Sequence, residues 1–395
     1  MTLAPERPAA SATALAGRST GPGPVPALVQ PLDRAPAGRR WQHFDGAARE
    51  TSAGRRLAAV RALAQDWRAD FTASGRPDTV LTCDLVTLPY PTRYGLFRAA
   101  ASPAPYLAIT NRMVVVRWAD DDGTRRTLLF EPSDIDLGER TPFFQDLVAS
   151  AGPAAGLLDR RLTTRHGRVL EHLRRLGIAP EEVDYLVFDH LHTQDVRRWL
   201  GTTAPQPDLA GLTGWPDAPL EPVFPNARLL VQREELEAMV DLHPFQRPWY
   251  QAGTFADVRP DAVVALDGDV ALGPGVGVLS TPGHTVGNQS LVVHTSTGVW
   301  ASSENAVSAE CLVPEHSRIP GVARYARRWG QEVVLNSNTP EMLREQYDSM
   351  VKEKSVVDPS LRDPRFPQFF PSSELTAVRW SPGTRPTFTH GALGG

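Results

Sequence analysis

Two histidines two residues apart, His190 and His192, close the apolar run VDYLVFDHLH, and Gln194 and Asp195 follow them. Side chains in extended backbone alternate faces, so imidazoles at i and i+2 point the same way and can grip one ion from one side. Such a pair alone is a weak signal. A second apolar run, VGVLS, leads into Thr281-Pro282-Gly283-His284-Thr285, with Gly287 before another strand-like stretch. A third imidazole at the end of a second strand turns the pair into a candidate metal centre.

In order and spacing, residues 80 to 370 resemble the metallo-β-lactamase superfamily. In that family a T-H-x-H-x-D-H loop, a G-H-T-x-G loop, a strand ending in Gly-Asp and a late His-Asp-Pro supply the ligands. His190, His192 and His284 match three of the histidines. Gln194 stands at the family's aspartate, Asp195 at its next histidine, and Glu304 in VWASSENAV at its bridging carboxylate. In the late segment SVVDPSLRDPRFPQFFPSSEL, Arg362 takes the last histidine's place, or Val357 if a gap is allowed. The resemblance implies an α+β fold, a four-layer αββα sandwich, with a partly rewritten site.

Three neutral imidazoles leave an ion's charge intact, and a zinc ion so held with an open fourth position brings the pKa of its water to about 7. The expected cofactor is one divalent ion, zinc first and iron as the alternative, at His190, His192 and His284. Glu304 is either a fourth ligand or the acceptor for the bound water. Because the neutral amide of Gln194 cannot take a proton, Asp195 or Glu304 must serve as base. Arg362 is expected to supply the positive charge of a missing second ion, paired with Glu304 or Asp195. The reaction class implied is hydrolysis of a small ester, lactone, amide or phosphoester. Two other readings stay open: a degenerate member that binds without turnover, and a mononuclear iron oxygenase.

The elements that must carry these residues are legible around them. LLDRRLTTRHGRVLEHLRRLGIAPEEVDYLVFDH predicts a helix stopped near Gly177, a turn led by Pro180, then the histidine strand. FPNARLLVQREELEAM predicts a strand from Arg228 to Gln232 feeding a helix near Glu234. ALDGDVALGPGVGVLST predicts two strands about a Gly-Pro-Gly turn; no helix follows those glycines, so a nucleotide site is not expected. In residues 46–72, Leu57, Val60, Leu63, Ala64 and Trp67 share a helical face, which is expected to pack on the domain or on a second copy in a homodimer.

The remaining chemistry-bearing residues carry less. His166 and His172 read as surface groups on an arginine-rich helix, and His294 as a packed strand residue. Ser302 and Ser303 lack the G-x-S-x-G setting of a serine nucleophile. His316 and His390 are outside candidates for the site, and His243, Trp249 and Tyr250 for an aromatic wall.

The 395 residues are 41% hydrophobic and carry a net charge of −4, and Lys352 and Lys354 are the only lysines. That leaves no basic stripe for nucleic acid. No apolar run approaches the roughly 20 residues of a membrane span, so a small molecule is the expected partner. Cys83 and Cys311 are too few for a disulfide framework, which fits a cytoplasmic protein. Residues 1–42, rich in Pro, Ala, Gly and Arg, read as disordered; 43–78 as a helical extension; 79–395 as the metallo-β-lactamase-like domain.

Overall fold

The computed structural model describes residues 39–209, 217–338 and 340–393. Its strands in chain order are β1 (Arg39–Arg40), β2 (Thr79–Pro91), β3 (Tyr106–Ala119), β4 (Arg125–Phe130) and β5 (Thr164–Arg165). Then come β6 (Tyr185–Val187), β7 (Arg228–Gln232), β8 (Val263–Leu266) and β9 (Val270–Gly273). The last four are β10 (Val276–Ser280), β11 (Gln289–Thr295), β12 (Gly298–Ser302) and β13 (Ser373–Thr376). They form two sheets: one ordered β5-β2-β3-β4-β6-β7-β8 with β13 also on β3, the other β1-β9-β10-β11-β12.

Period-two patterning explains how the sheets stack. Along β3, Val114 and Val116 join Leu128, Val187, Val278 and Leu291 between the two sheets, while Met113 and Val115 face the opposite way. On that outer side the helices Val169–Leu176 and Arg233–Val240 cover the larger sheet with Leu173, Leu236 and Met239. Helices Ala53–Ala73 and Leu343–Val356 cover the smaller sheet with Trp67, Phe71, Met350 and Val351. The layers are therefore helix, sheet, sheet, helix, the expected αββα sandwich. From β4 through β8 the pairing is parallel, and β7 and β8 are buried almost throughout, as parallel strands covered on both faces must be.

Helix Ala53–Ala73 buries Val60, Ala64, Trp67 and Phe71, with Leu57 and Leu63 partly buried. Trp67 stacks on Phe71 at 4.6 Å and meets the edge of Trp41 at 5.4 Å. Residues 43–78 thus share the core of the smaller sheet, the first of the two packings expected of that helical face. Arg39 and Arg40 pair with β9 and Trp41 is buried, so the expected disordered segment cannot reach residue 42; its residues 1–38 lie outside the described ones. Among the described residues no helix is long and apolar enough to cross a membrane.

Candidate metal centre

The strand carrying the first two histidines is shorter than its sequence suggests: β6 stops at Val187. His190 and His192 sit on the loop beyond, so alternation along a strand is not what brings them together. Side chains acting as acceptors fix that loop instead. Glu131 Oε1 accepts from the Asp189 amide at 2.6 Å and Glu235 Oε1 from the Leu191 amide at 3.0 Å. The Thr193 amide, in left-handed backbone at φ 62°, donates to Trp249 O at 2.7 Å. The result is three buried rings in contact, with centroids 4.6 Å apart for His190–His192, 4.5 Å for His190–His284 and 5.2 Å for His192–His284.

His284 is delivered by the turn after β10, which is wedged between two helices. A Cβ on Gly283 would lie 2.1 Å from the Cα of Gln346, and one on Gly287 would lie 2.4 Å from the Glu235 amide nitrogen. No other residue fits either position. Glu235 Oε2 adds hydrogen bonds from Thr285 Oγ1 and the Gly287 amide.

Each ring is tethered by one nitrogen. His190 Nδ1 meets Asp189 Oδ1 at 2.5 Å, His192 Nε2 meets Gln246 Oε1 at 2.7 Å, and His284 Nδ1 meets Asn336 O at 2.9 Å. One ligand atom from each histidine lies within 4.8 Å of the others. His192 Nδ1 is buried without any hydrogen-bond partner, an arrangement costly unless something binds there. One tethered nitrogen and one open nitrogen per ring is how metal-ligating histidines are oriented, so the residues fit an ion such as zinc.

The acidic groups divide sharply. Glu304 opens on the same cavity and takes a hydrogen bond from Ser373 Oγ at 3.3 Å. With Asp189 and His190 it forms a second group able to hold an ion. Burial pushes its carboxyl up, His190 opposes and Asp189 reinforces, leaving it at about 7. Glu131 is held well above the ordinary range by burial and then by Asp189. Burial disfavours charge on His190, but Asp189 and Glu304 outweigh it and raise the ring to about 9. Burial and the charge on His190 drive His284 down to about 3 and His192 well below its usual value. A cation held by His190 would take the place of the second proton on that ring.

Asp195 and Arg362 are corrected. The Asp195 carboxylate grips buried Arg197 through Nε at 3.0 Å and Nη2 at 2.6 Å, and Asp208 and Gln206 hold the same guanidinium. It is outside the cavity wall, committed to an ion pair rather than to a base's task. Arg362 donates to Thr389 O and His390 O and lies over the Phe388 ring. It touches neither Glu304 nor Asp195; facing Glu304 from the late segment is Ser373, on β13. Gln194 does line the cavity, donating to Ser133 Oγ at 3.0 Å.

Of the aromatic candidates, Trp249 lines the cavity and Tyr250 lies 4.7 Å from His192 while donating to Glu235 Oε1; His243 is exposed. His294 bonds Gly75 O, His390 bonds Pro367 O, and His316 is exposed near Phe366. Cys83 and Cys311 are free and buried. Sequence reading missed Asp189, Glu131, Gln246, Asn336 and Ser373. Only Asp189, next to His190, carried a signal.

The cavity in front of the histidines holds about 630 Å³. Its walls are mostly apolar, with Val86, Leu88 and Ile109 on the sheet side and Phe143, Leu147 and Leu158 on the helices Pro142–Ala151 and Ala155–Leu162, and Glu139, Asp159 and Arg165 line it too.

No family model matches the chain. Over 132 residues it is 30% identical to an N-acyl homoserine lactonase from a Bacillus species and 28% identical to one from Bacillus thuringiensis, each match covering 33% of this chain. The chain spans 41% of the length of these curated relatives. Among solved structures, a quorum-quenching N-acyl homoserine lactone lactonase aligns at 18% identity and TM-score 0.41, over 65% of this chain and 87% of that one. A dizinc quorum-quenching lactonase aligns at 11% identity and TM-score 0.38, over 69% and 80%. In its four-layer architecture and its histidine spacing the chain is similar to the metallo-β-lactamase superfamily.

Proposed function

We propose that the chain is a metal-dependent hydrolase that opens a small ester, lactone, amide or phosphoester at a mononuclear site. The observation that carries this reading is three buried imidazoles, each tethered by one nitrogen, with ligand atoms within 4.8 Å of one another in the cavity that Glu304 also lines. When bound, a zinc ion supplies Lewis acidity and a water that ionises near neutral pH. Glu304 accepts a proton from the attacking water and returns it to the leaving atom. The apolar walls exclude bulk water and hold an apolar part of the substrate. Lactones with an apolar substituent are the first substrates to try, a choice favoured by the activity for which the Bacillus relatives are named. The reading includes a cytoplasmic location and a small-molecule partner rather than nucleic acid or membrane.

Protein purified without chelators is expected to carry about one zinc per chain, to lose lactone and ester turnover on chelation and to regain it with zinc. Glu304→Gln should keep the metal and lose turnover. No turnover of any ester, lactone, amide or phosphoester by the loaded protein would leave a binding protein in place of an enzyme, and two tightly held ions would overturn the mononuclear site.

A further inference from the structure

Glu235 stands in the first turn of the helix Arg233–Val240 and is wholly buried. Its Oε1 accepts from the Leu191 amide at 3.0 Å and from the Tyr250 hydroxyl at 2.6 Å, and its Oε2 from Thr285 Oγ1 at 2.7 Å and the Gly287 amide at 3.2 Å. One side chain thus gathers three segments. Leu191 lies between His190 and His192, Thr285 and Gly287 follow His284, and Tyr250 ends the stretch that begins at Gln246, the tether of His192.

Four donors aimed at one side chain are matched by a carboxylate, which only accepts. All four are uncharged amides and hydroxyls. A carboxylate withdrawn from water without a cation beside it is unfavourable, so folding alone gives poor reason to place one behind three imidazoles. The contact is also close. A Cβ on Gly287 would lie 2.3 Å from the Glu235 Cβ, so the turn after His284 is seated directly on this residue, while the Tyr250 ring it holds meets His192 at 4.7 Å.

We propose that Glu235 is a positioning residue for the metal centre: it fixes the separation of the His190–His192 loop from the His284 turn before an ion arrives, and it places negative charge behind that ion. The assignment rests on the metal site of the hydrolase reading. The individual tethers on the three rings set how each imidazole turns, whereas the spacing between the loops depends on a group that touches both. Glu235 does so through backbone and neighbouring side chains, without reaching metal or substrate. The Gln289 amide also crosses between the loops, to Asp189 O at 2.8 Å, so loss of Glu235 should loosen the cluster rather than open it.

The test is Glu235→Gln in the full chain, with zinc affinity read by chelator competition and ligand geometry by the visible absorption of the cobalt-loaded protein. An amide puts a donor where donors already converge, so one loop must give way. Zinc affinity should fall about 10- to 100-fold, the range for partners that orient metal ligands, and the cobalt absorption should change shape. Glu235→Asp, which keeps the charge but is one methylene short of spanning the loops, should lose affinity too. Glu310→Gln alters an equally buried carboxylate off the cavity, one that holds Thr387, and should leave both metal readouts at wild-type values. Wild-type affinity and absorption in Glu235→Gln would overturn the assignment, even with a lowered melting temperature, and wild-type values in Glu235→Asp would overturn the clamp. If Glu235→Gln does not fold, Thr285→Val, which removes one donor to Oε2, carries the same test with an expected loss of about tenfold. A wild type that binds metal but hydrolyses nothing sinks the hydrolase reading alone, and the variants still decide Glu235. A wild type that binds neither zinc nor cobalt sinks both.

Discussion

Replacing Asp189 with Asn should weaken metal binding while the metal-free chain still folds. Asp189 places Oδ1 2.5 Å from His190 Nδ1 and accepts Ser372 Oγ on Oδ2 at 2.6 Å, both contacts fully buried. An asparagine has the same shape and can still accept from His190, so the ring stays in place while the charge that makes it a stronger ligand is lost. Outer partners of this kind are worth about 10- to 100-fold in metal affinity, or about 1.4 to 2.7 kcal/mol. His190→Ala, which removes the ligand itself, should lose far more. In the metal-free protein the substitution also removes the buried carboxylate that holds His190 protonated, so its melting temperature should fall while unfolding stays cooperative. Titration against a chromophoric zinc chelator at fixed pH measures the first effect, and thermal unfolding in excess EDTA the second. Wild-type affinity in Asp189→Asn would refute the role given to the Asp189–His190 contact. A fall in affinity matched by collapse of the metal-free protein would mean that Asp189 acts on the fold.

Two other outcomes follow from neighbouring groups. His284→Ala should abolish zinc binding while His294→Ala and His316→Ala leave it intact, since only His284 faces the other two rings; equal losses in a chelator competition would mean the ion sits elsewhere. Glu353, whose Oε1 accepts from Ser290, Ser303 and Asn305, is raised by burial to about 7 from an ordinary 4.5. Its neutral form stabilises the fold fully below the unfolded value, and that contribution is lost as pH rises through 7, by about 3 kcal/mol. Glu353→Gln, which cannot ionise, should therefore gain on wild type between pH 5 and pH 8 in urea unfolding of the metal-free protein, and parallel pH profiles would refute this.

His190, His192 and His284 were legible because each ends an apolar run and the turn residues around His284 are unusual. Glu304 was legible because its strand precedes it. Asp189 was visible but ambiguous, since an acid beside a histidine carries no signature of pairing. Gln246, Asn336 and Ser373 were not legible at all: their bonds to His192, His284 and Glu304 each cross more than 50 residues of sequence. Arg362 was misplaced because the late segment has no periodic pattern to fix its register, and the contacts that set it, β13 on β3, are non-local. The length of the histidine strand was overread for a similar reason. Apolar residues continue past Val187, but the loop's amides go to Glu131, Glu235 and the Trp249 carbonyl rather than to a neighbouring strand. The helix Ala53–Ala73 showed its buried face by period, whereas a two-residue strand such as β1 leaves no period to read.

The wedging of Gly283 against Gln346 bears on how the protein is made. During synthesis His190 and His192 leave the ribosome about 150 residues ahead of the helix Leu343–Val356, against which the His284 turn is seated, and the carbonyl of Asn336 that orients His284 also comes late. Until those residues emerge, the nascent chain has two imidazoles in hand and nothing to fix the third. Ion capture then belongs to the end of biogenesis, so a ribosome-stalled chain ending before residue 343 should leave cellular zinc alone.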